Sequence, residues 1–170
     1  MRSVFLCLIF TAFGLKAEIP DGTFRWLGTP EETNRVSEAV ERGAVQMSRL
    51  TRMIARNRLT ESTRPFQLIT FTRKGEQLTA VRDDDNPIVT PLNGKPVEWT
   101  RKDGKKFRVS QIAAVNAITQ IFIDDVDNSR QNIFSLTPDG QSLTLTVTLQ
   151  SSSLRVPVNY SLIYKRVEKK

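Results

Sequence analysis

The sequence predicts a mainly β protein: an antiparallel meander β-barrel of about eight to ten strands, with one long N-terminal helix packed on it. Two observations predict this class. From Pro65 onward, apolar residues alternate with polar ones, and turn signals recur roughly every ten residues. Before residue 60, apolar residues follow each other at spacings of three and four, which is typical of a helix. Short connections make successive strands antiparallel, and so many strands tend to close into a barrel.

The first seventeen residues predict a cleaved signal peptide. Arg2 supplies the positive charge, the apolar run 4–13 is too short to cross a bilayer, and a break leads to Ala17. Cleavage near Ala17 predicts an exported protein, periplasmic or secreted. A lipoprotein anchored through Cys7 is disfavoured because too few residues precede this cysteine. The remaining residues, 18–170, fit a single domain.

The composition disfavours catalysis. The chain has no histidine, and its one cysteine, Cys7, leaves with the signal peptide. It therefore offers no imidazole base, no thiol nucleophile and neither of the side chains that dominate zinc, copper and haem sites. We expect no enzyme activity, no metal and no cofactor.

The net charge gives a weaker indication about partners. Without Arg2 and Lys16 the formal charge of +7 becomes +5, which favours anionic surfaces. The basic residues are not interleaved with the aromatic residues on which nucleic-acid bases stack, so we expect no nucleic-acid partner.

A short strand at Thr23–Leu27 precedes the predicted helix. Thr29 and Glu32 form a capping-box pattern, and Pro30 occupies the first helical position. We predict one helix from Pro30 to about Arg58. Its apolar stripe consists of Val36, Val40, Gly43, Met47, Leu50 and Ile54. The glycine in this stripe allows a neighbouring element to come close.

The same helix carries arginines on another face. Those predicted to bind a partner are Arg42, Arg49, Arg52 and Arg56. One interpretation is a basic face that contacts an anionic membrane surface or an acidic envelope partner. The other is a solvated face whose late arginines complement the helix dipole. The sequence leaves both open.

Nine strands are predicted after the helix. They are Phe66–Arg73, Glu76–Arg82, Pro87–Pro91, Pro96–Arg101, Lys106–Ile112, Ala117–Asp124, Arg130–Leu136, Ser142–Gln150 and Pro157–Val167. The pairs Asn93-Gly94 and Asp103-Gly104 are strong hairpin signals, because such turns need positive φ angles.

Two acidic runs imitate metal sites. Asp83, Asp84 and Asp85 are consecutive, which points their side chains in different directions. Asp125 and Asp127 imitate the opening of a calcium loop, but the glycine such a loop requires is missing. We interpret both runs as hairpin turns.

The order of the elements carries a family resemblance. A short strand with Gly22-Thr23-Phe24-Arg25-Trp26, a helix, and a long meander that ends in Tyr160-Ser161-Leu162-Ile163-Tyr164-Lys165-Arg166 resemble the calycin superfamily, which holds lipocalins and cytosolic fatty-acid-binding proteins. The chain looks most like the lipocalin-like proteins of unknown function that bacteria export. The resemblance implies a barrel with a ligand inside. Fatty-acid-binding proteins hold a carboxylate with arginine-x-tyrosine in the last strand; Tyr164 matches this tyrosine, and Leu162 stands in the arginine position.

The first functional hypothesis is an exported protein that binds a small hydrophobic or amphipathic molecule inside the barrel. Trp99, Phe122, Tyr160 and Tyr164 are the predicted lining, although each fits ordinary core packing as well. Arg108 is the predicted contact for an anionic head group. It alternates with its neighbours in the strand, so it faces either the lumen or solvent.

The second hypothesis is an interaction module. It uses the basic helix face, or the hairpin tip Arg101–Lys106, to bind an acidic envelope partner or an anionic surface. A basic hairpin tip is more often simply solvated, and this alternative also stays open.

Overall fold

The computed structural model describes residues 19–126 and 128–168. The predicted signal peptide with Cys7, and Asp127 of the second acidic run, lie outside these residues. The elements are β1 (Gly22–Trp26), α1 (Pro30–Val45), α2 (Arg49–Thr63), β2 (Leu68–Lys74), β3 (Gln77–Arg82), β4 (Ile88–Pro91), β5 (Val97–Thr100), β6 (Lys106–Ala114), β7 (Ala117–Ile123), β8 (Ser129–Leu136), β9 (Ser142–Gln150) and β10 (Val158–Arg166). Neither helix of the described part is long and apolar enough to cross a bilayer.

All ten strands form one antiparallel sheet. Their order is β4-β3-β2-β1-β10-β9-β8-β7-β6-β5, so β1 pairs with β2 on one side and β10 on the other. The predicted mainly β, antiparallel meander is therefore confirmed. Every predicted strand is present with its bounds shifted by at most a few residues, and β9 has the predicted bounds.

The inward face of the sheet forms the core. In β9, Leu143, Leu145 and Val147 are buried, whereas the alternating threonines are more exposed. Across the interior the rings of Phe71 and Phe134 meet edge to face at 5.0 Å. Most inward side chains are almost completely buried, so side chains fill the interior of the barrel.

The predicted start of the first helix is confirmed. Thr29 Oγ1 accepts from the Glu32 amide at 3.3 Å, and Glu32 Oε2 accepts from the Thr29 amide at 3.4 Å. The other oxygen of this buried carboxylate accepts from the Ile163 amide. The helix cap is thus also a contact to β10, which positions α1 against the sheet.

The predicted single helix is wrong, because the chain turns between Val45 and Arg49. Ser48 caps α2 and accepts from the Thr51 amide at 3.4 Å. Arg52 Nη2 donates to the carbonyls of Val45 and Met47 at 3.1 and 3.3 Å, which gives the end of α1 hydrogen-bond partners. We refer to α1 and α2 together as the lid.

The break also ends the predicted apolar stripe. Val36, Val40 and Gly43 of α1 are buried. Leu50 and Ile54 of α2 are 90% and 53% exposed, and among the residues of α2 only Thr63 is buried. The stripe therefore packs on the sheet through α1 alone.

The barrel has one line along which neighbouring strands are not paired. The ladder ends at β4 on one side and at β5 on the other, and we call the line between them the seam. The predicted Asn93-Gly94 hairpin is therefore wrong. The Gly94 amide donates instead to the Gln111 carbonyl at 3.0 Å, and Asn93 bridges to Ile112, so this connection pairs with β6.

Candidate functional site

Four aromatic side chains gather where the seam meets the segment between α2 and β2. Trp99, Phe107 and Phe122 lie with ring centroids 5.8 to 6.1 Å apart. Phe66, from the segment 64–67 that we call the strap, joins them through Arg82. These four rings are here called the aromatic corner. Phe66 and Phe107 are partly exposed, so the corner reaches from the interior to the surface.

Arg82 lies inside the aromatic corner. Its Cζ is 4.6 Å from the centroid of Phe66, 5.1 Å from Trp99 and 4.8 Å from Phe122. The residue is 5% exposed. Its Nη2 contacts Asp85 Oδ2 at 3.4 Å, and its Nε is buried without a partner among the described residues. Burial, with a smaller contribution from nearby Arg130, lowers the pKa of the Arg82 guanidinium to about 9.

Arg130 is a second cation beside Phe66, with its Cζ 5.2 Å from that ring centroid. Its Nη1 donates to the Ser62 carbonyl at 2.6 Å, and its Nε donates to Asn132 Oδ1 at 2.8 Å. It therefore connects the end of the lid to the interior of β8.

Three buried amides continue inward from Arg130 and form what we call the amide row. Asn132 donates to Gln120 at 3.3 Å, Gln120 donates to Gln111 at 3.1 Å, and Gln111 donates to Thr90 Oγ1 at 2.9 Å. The row crosses β8, β7 and β6 and ends on β4. It spans the seam with side chains where main-chain pairing is absent.

The turns on the two sides of the seam are also joined by side-chain hydrogen bonds and an ion pair. Asn86 Nδ2 donates to the Thr100 carbonyl at 2.9 Å, and Trp99 Nε1 donates to the Asn86 carbonyl at 3.2 Å. Lys102 forms an ion pair with Asp84 at 2.5 Å. Residues 83–85 lie in the turn between β3 and β4, as predicted.

The second acidic run lies between β7 and β8. Asp124 Oδ1 accepts from the amides of Val126 and Asn128 at 3.1 and 2.8 Å. This carboxylate thus stabilises a turn between the two strands, as the hairpin interpretation predicts for the described residues of this run.

The predicted aromatic lining residues all lie inside the barrel. Trp99 and Phe122 are in the aromatic corner, and Tyr160 and Tyr164 are neighbours on the inward face of β10. The two hydroxyls donate to the carbonyls of Thr63 and Phe66 at 3.2 and 3.1 Å, so they fasten the lid and the strap. Burial raises the pKa of both phenols.

Of the two orientations that the sequence left open for Arg108, the structure has the outward one, so Arg108 does not line the lumen. Its neighbour Val109 is buried, and Arg108 is exposed on the outer face of β6, opposite Glu98 of β5. The strand turns its apolar side chains inward because their burial stabilises the fold.

Two arginines on the inward phase of their strands were missed by sequence reasoning: Arg82, which is buried, and Arg130, which is partly buried. A signal was present: Arg82 shares its strand phase with Leu78 and Ala80, and Arg130 shares its phase with Phe134. A basic residue at one of the alternating strand positions that otherwise hold inward apolar side chains indicates an inward-facing cation.

The predicted basic face is divided by the helix break. Arg42 of α1 pairs with Glu38 at 3.7 Å, and Arg56 of α2 pairs with Glu41 at 2.5 Å. Arg52 caps α1. Arg49 is exposed at the start of α2. Two of these four arginines are therefore paired with carboxylates within the lid.

Two grooves lie on the outside of the barrel. One, of about 440 Å³, is lined by Arg25, Trp26, Leu27, Lys165, Arg166 and Val167. The other, of about 210 Å³, lies on the outer faces of β7, β8 and β9. Neither groove is lined by the aromatic corner or the amide row.

Comparisons with known proteins show the fold. No family model matches the chain, and no curated protein matches its sequence. Among solved structures, a Schistosoma mansoni fatty acid binding protein in complex with arachidonic acid is 17% identical, with a TM-score of 0.56 over 88% of this chain and 96% of that one. An Echinococcus granulosus fatty-acid-binding protein is 13% identical, with a TM-score of 0.53 over 87% and 97%.

A secretory abundant heat soluble protein from Ramazzottius varieornatus is 8% identical, with a TM-score of 0.57 over 86% and 94%. The chain therefore has the calycin-type barrel fold, which confirms the resemblance at the level of fold. Two of these three structures are named for binding fatty acids, and the third is not. The shared fold alone leaves the function of this chain to be argued from its own interior.

Proposed function

We propose that this protein binds a small hydrophobic or amphipathic molecule inside its barrel. The observation that carries the proposal is the amide row within a largely apolar interior. Ligand sites typically combine apolar walls with a few placed polar groups, and Gln111, Gln120 and Asn132 are such groups. A buried amide costs free energy unless it is hydrogen-bonded, so a row of amides is not something that core stability alone requires. The fatty-acid-binding proteins of the same fold support this proposal by analogy.

A ligand enters, in this proposal, at the aromatic corner. There the seam lacks main-chain hydrogen bonds, and the contacts between residues 83–86 and 99–102 close it. Because side chains fill the interior, binding displaces some of them. The proposal has Phe66 and Phe107 turn outward, because they are the partly exposed rings of the corner.

A cross-linking experiment tests this route. In a Cys7→Ser background, Asn86→Cys and Thr100→Cys place thiols on the two sides of the seam. A short thiol cross-linker between them should block uptake of a fluorescent long-chain probe, and cleaving the linker should restore uptake. The measurement is probe fluorescence during a titration.

The control pair is Thr72→Cys with Thr79→Cys. These residues face each other on β2 and β3, which are already paired by main-chain hydrogen bonds. A linker between them therefore does not block a route into the barrel. Uptake should be unchanged in this control. Absence of uptake in the unmodified protein, over a panel of long-chain carboxylates, alcohols and lipids, would contradict the proposed function itself.

A second candidate function is docking of the lid on an anionic membrane surface. The observation that favours it is the exposed apolar face of α2, where Leu50 is 90% and Met53 is 67% exposed beside Arg49. An amphipathic basic helix of this kind binds anionic lipid through both apolar area and charge. Export, which the first seventeen residues predict, would bring the chain to such a surface in the cell envelope.

Sedimentation with vesicles tests the second candidate. The protein should bind phosphatidylglycerol vesicles more than neutral phosphatidylcholine vesicles, and Leu50→Gln with Met53→Gln should remove the difference. Val126→Gln is the matched control, because Val126 is 65% exposed on a distant turn. Equal binding to both vesicles, or equal loss in the control, would exclude this function.

A further inference from the structure

Arg82 is buried where the protein offers it too few partners. It ends β3 and shares the inward face with Leu78 and Ala80, so its guanidinium lies inside the aromatic corner. The three surrounding rings attract a cation but do not replace the hydrogen bonds that its N–H groups lose with water. The contact with Asp85 is 3.4 Å long, and Nε is buried with no partner in the described part of the chain.

Arg130 adds a second positive charge beside the same Phe66 ring. Its hydrogen bonds to Ser62 and Asn132 go to neutral oxygens, so they hold its position without matching its charge. The positive charges of the two guanidinium groups repel each other. Asp85 is the carboxylate that offsets this repulsion most. The aromatic corner therefore brings two guanidinium groups together with one contacting carboxylate, around an Arg82 side chain that is itself buried.

We propose that Arg82, together with Arg130, binds the carboxylate of an amphipathic ligand at this corner of the barrel. The unpartnered Nε and the neighbouring Nη form the side of a guanidinium that matches two carboxylate oxygens. The apolar part of the ligand then extends from the aromatic corner into the interior. The inference rests on the proposed function and adds the class of ligand and its orientation.

The last strand does not supply this charge. Leu162 is apolar, and the Tyr164 hydroxyl already donates to the Phe66 carbonyl. The head group is accordingly held from β3 and β8, at the end of the barrel where the strap and the seam meet.

A pair of probes tests the inference. A sixteen-carbon carboxylate and the alcohol of the same length are titrated into the protein, and their dissociation constants are measured by calorimetry. The protein should bind the carboxylate more tightly. Arg82→Met should weaken carboxylate binding about tenfold to hundredfold and leave alcohol binding unchanged, since a hydrogen bond to a charged group contributes in that range. Arg82→Lys should weaken it less than Arg82→Met does.

Each outcome has a separate meaning. If the protein binds both probes equally and Arg82→Met changes neither, the carboxylate site is wrong and the proposed function stands. If the protein binds neither probe nor any member of the wider panel, the proposed function fails.

Thermal unfolding separates a binding role from a structural one. Replacing a buried, poorly paired cation by methionine should leave the midpoint of unfolding unchanged or higher. A variant that unfolds at a markedly lower temperature while keeping its carboxylate selectivity would overturn the inference.

Two further variants keep the test decisive if Arg82→Met does not fold. Arg130→Met should weaken carboxylate binding, because it removes the second charge. Asp85→Asn should strengthen it, because it removes the carboxylate that competes for Arg82. Unchanged selectivity in both variants would overturn the inference.

Discussion

At the scale of single residues, the interior polar groups distinguish this barrel from a purely apolar core. A buried polar group without a partner costs about 1–3 kcal/mol, whereas a cation over a ring contributes about 0.5–2 kcal/mol. The cost is larger for a charged group, so the three rings around Arg82 offset only part of its desolvation, and its Nε stays unbonded within the described residues. The amides of the row are hydrogen-bonded to each other, so their burial is far less costly.

The two tyrosines give a prediction about pH. Tyr160 and Tyr164 are the only tyrosines of the chain, and burial raises the pKa of both. At about pH 10, the ordinary tyrosine pKa, the folded protein should therefore show much less phenolate absorbance than the unfolded chain, and unfolding in denaturant should increase this absorbance.

The sign of the linked effect on stability follows from the same shift. Above about pH 10 the unfolded chain loses phenol protons that the folded chain keeps, so the free energy of unfolding should fall as the pH rises. Tyr164→Phe should make this fall shallower. If the tyrosines of the folded protein titrated at the ordinary tyrosine pKa, this would contradict the burial of their side chains.

At the scale of elements, the helix break shows where sequence reasoning fell short. The capping box at Thr29 and the stripe of α1 were predictable because they depend on local spacing. The end of α1 was not, since the apolar spacing continues through Met47 to Ile54. Ser48 is a favourable cap, yet a cap residue inside an unbroken pattern does not by itself end a helix.

Gly43 gives a prediction about the packing of the lid. A Cβ at this position would lie 2.7 Å from Val158 Cγ2 and 3.3 Å from Leu59 Cδ1. Gly43→Ala should lower the free energy of unfolding by about 1–3 kcal/mol, although alanine favours helix, because the added methyl overpacks the contact with β10.

A second substitution, Val158→Ala, makes the test specific. In the double variant the methyl added by Gly43→Ala finds space, so the combined loss should be smaller than the sum of the single losses. Ser37→Ala on the exposed side of α1 is the control and should change stability little. Denaturant unfolding measures all four variants against the original protein. A Gly43→Ala variant as stable as the original would show that the lid does not pack as described.

At the scale of the whole molecule, the strand order predicts where the barrel opens. β4 and β5 each have one unpaired edge along the seam, whereas β9 and β10 are paired on both sides. In hydrogen exchange followed by mass spectrometry, peptides covering β4 and β5 should exchange before those covering β9 and β10. Equal protection of the two groups would mean that the seam is not the weak line of the barrel.

The barrel was largely predictable, but its seam and its interior cations were not. Alternation in strands such as β9 depends on neighbouring residues, and ten antiparallel strands favour closure. The position of the seam depends on the Asn93-Gly94 segment pairing with β6, which is a long-range contact. Which face of β6 points inward is likewise decided by the closed barrel, so the sequence left the orientation of Arg108 open, and Arg82 was overlooked.

The central claim is that the interior of the barrel binds a small hydrophobic or amphipathic molecule through the aromatic corner. Trp99 lies in that corner, and Trp26, the second tryptophan of the chain, packs at the edge of the core and is not one of the four rings of the corner. The most direct measurement is the fluorescence of Trp99 in a Trp26→Phe variant during titration with a sixteen-carbon carboxylate, compared with Trp26 in a Trp99→Phe variant. The account predicts a saturable change with one ligand per protein for Trp99 and none for Trp26. No change in either variant, or an equal unsaturable change in both, would contradict it.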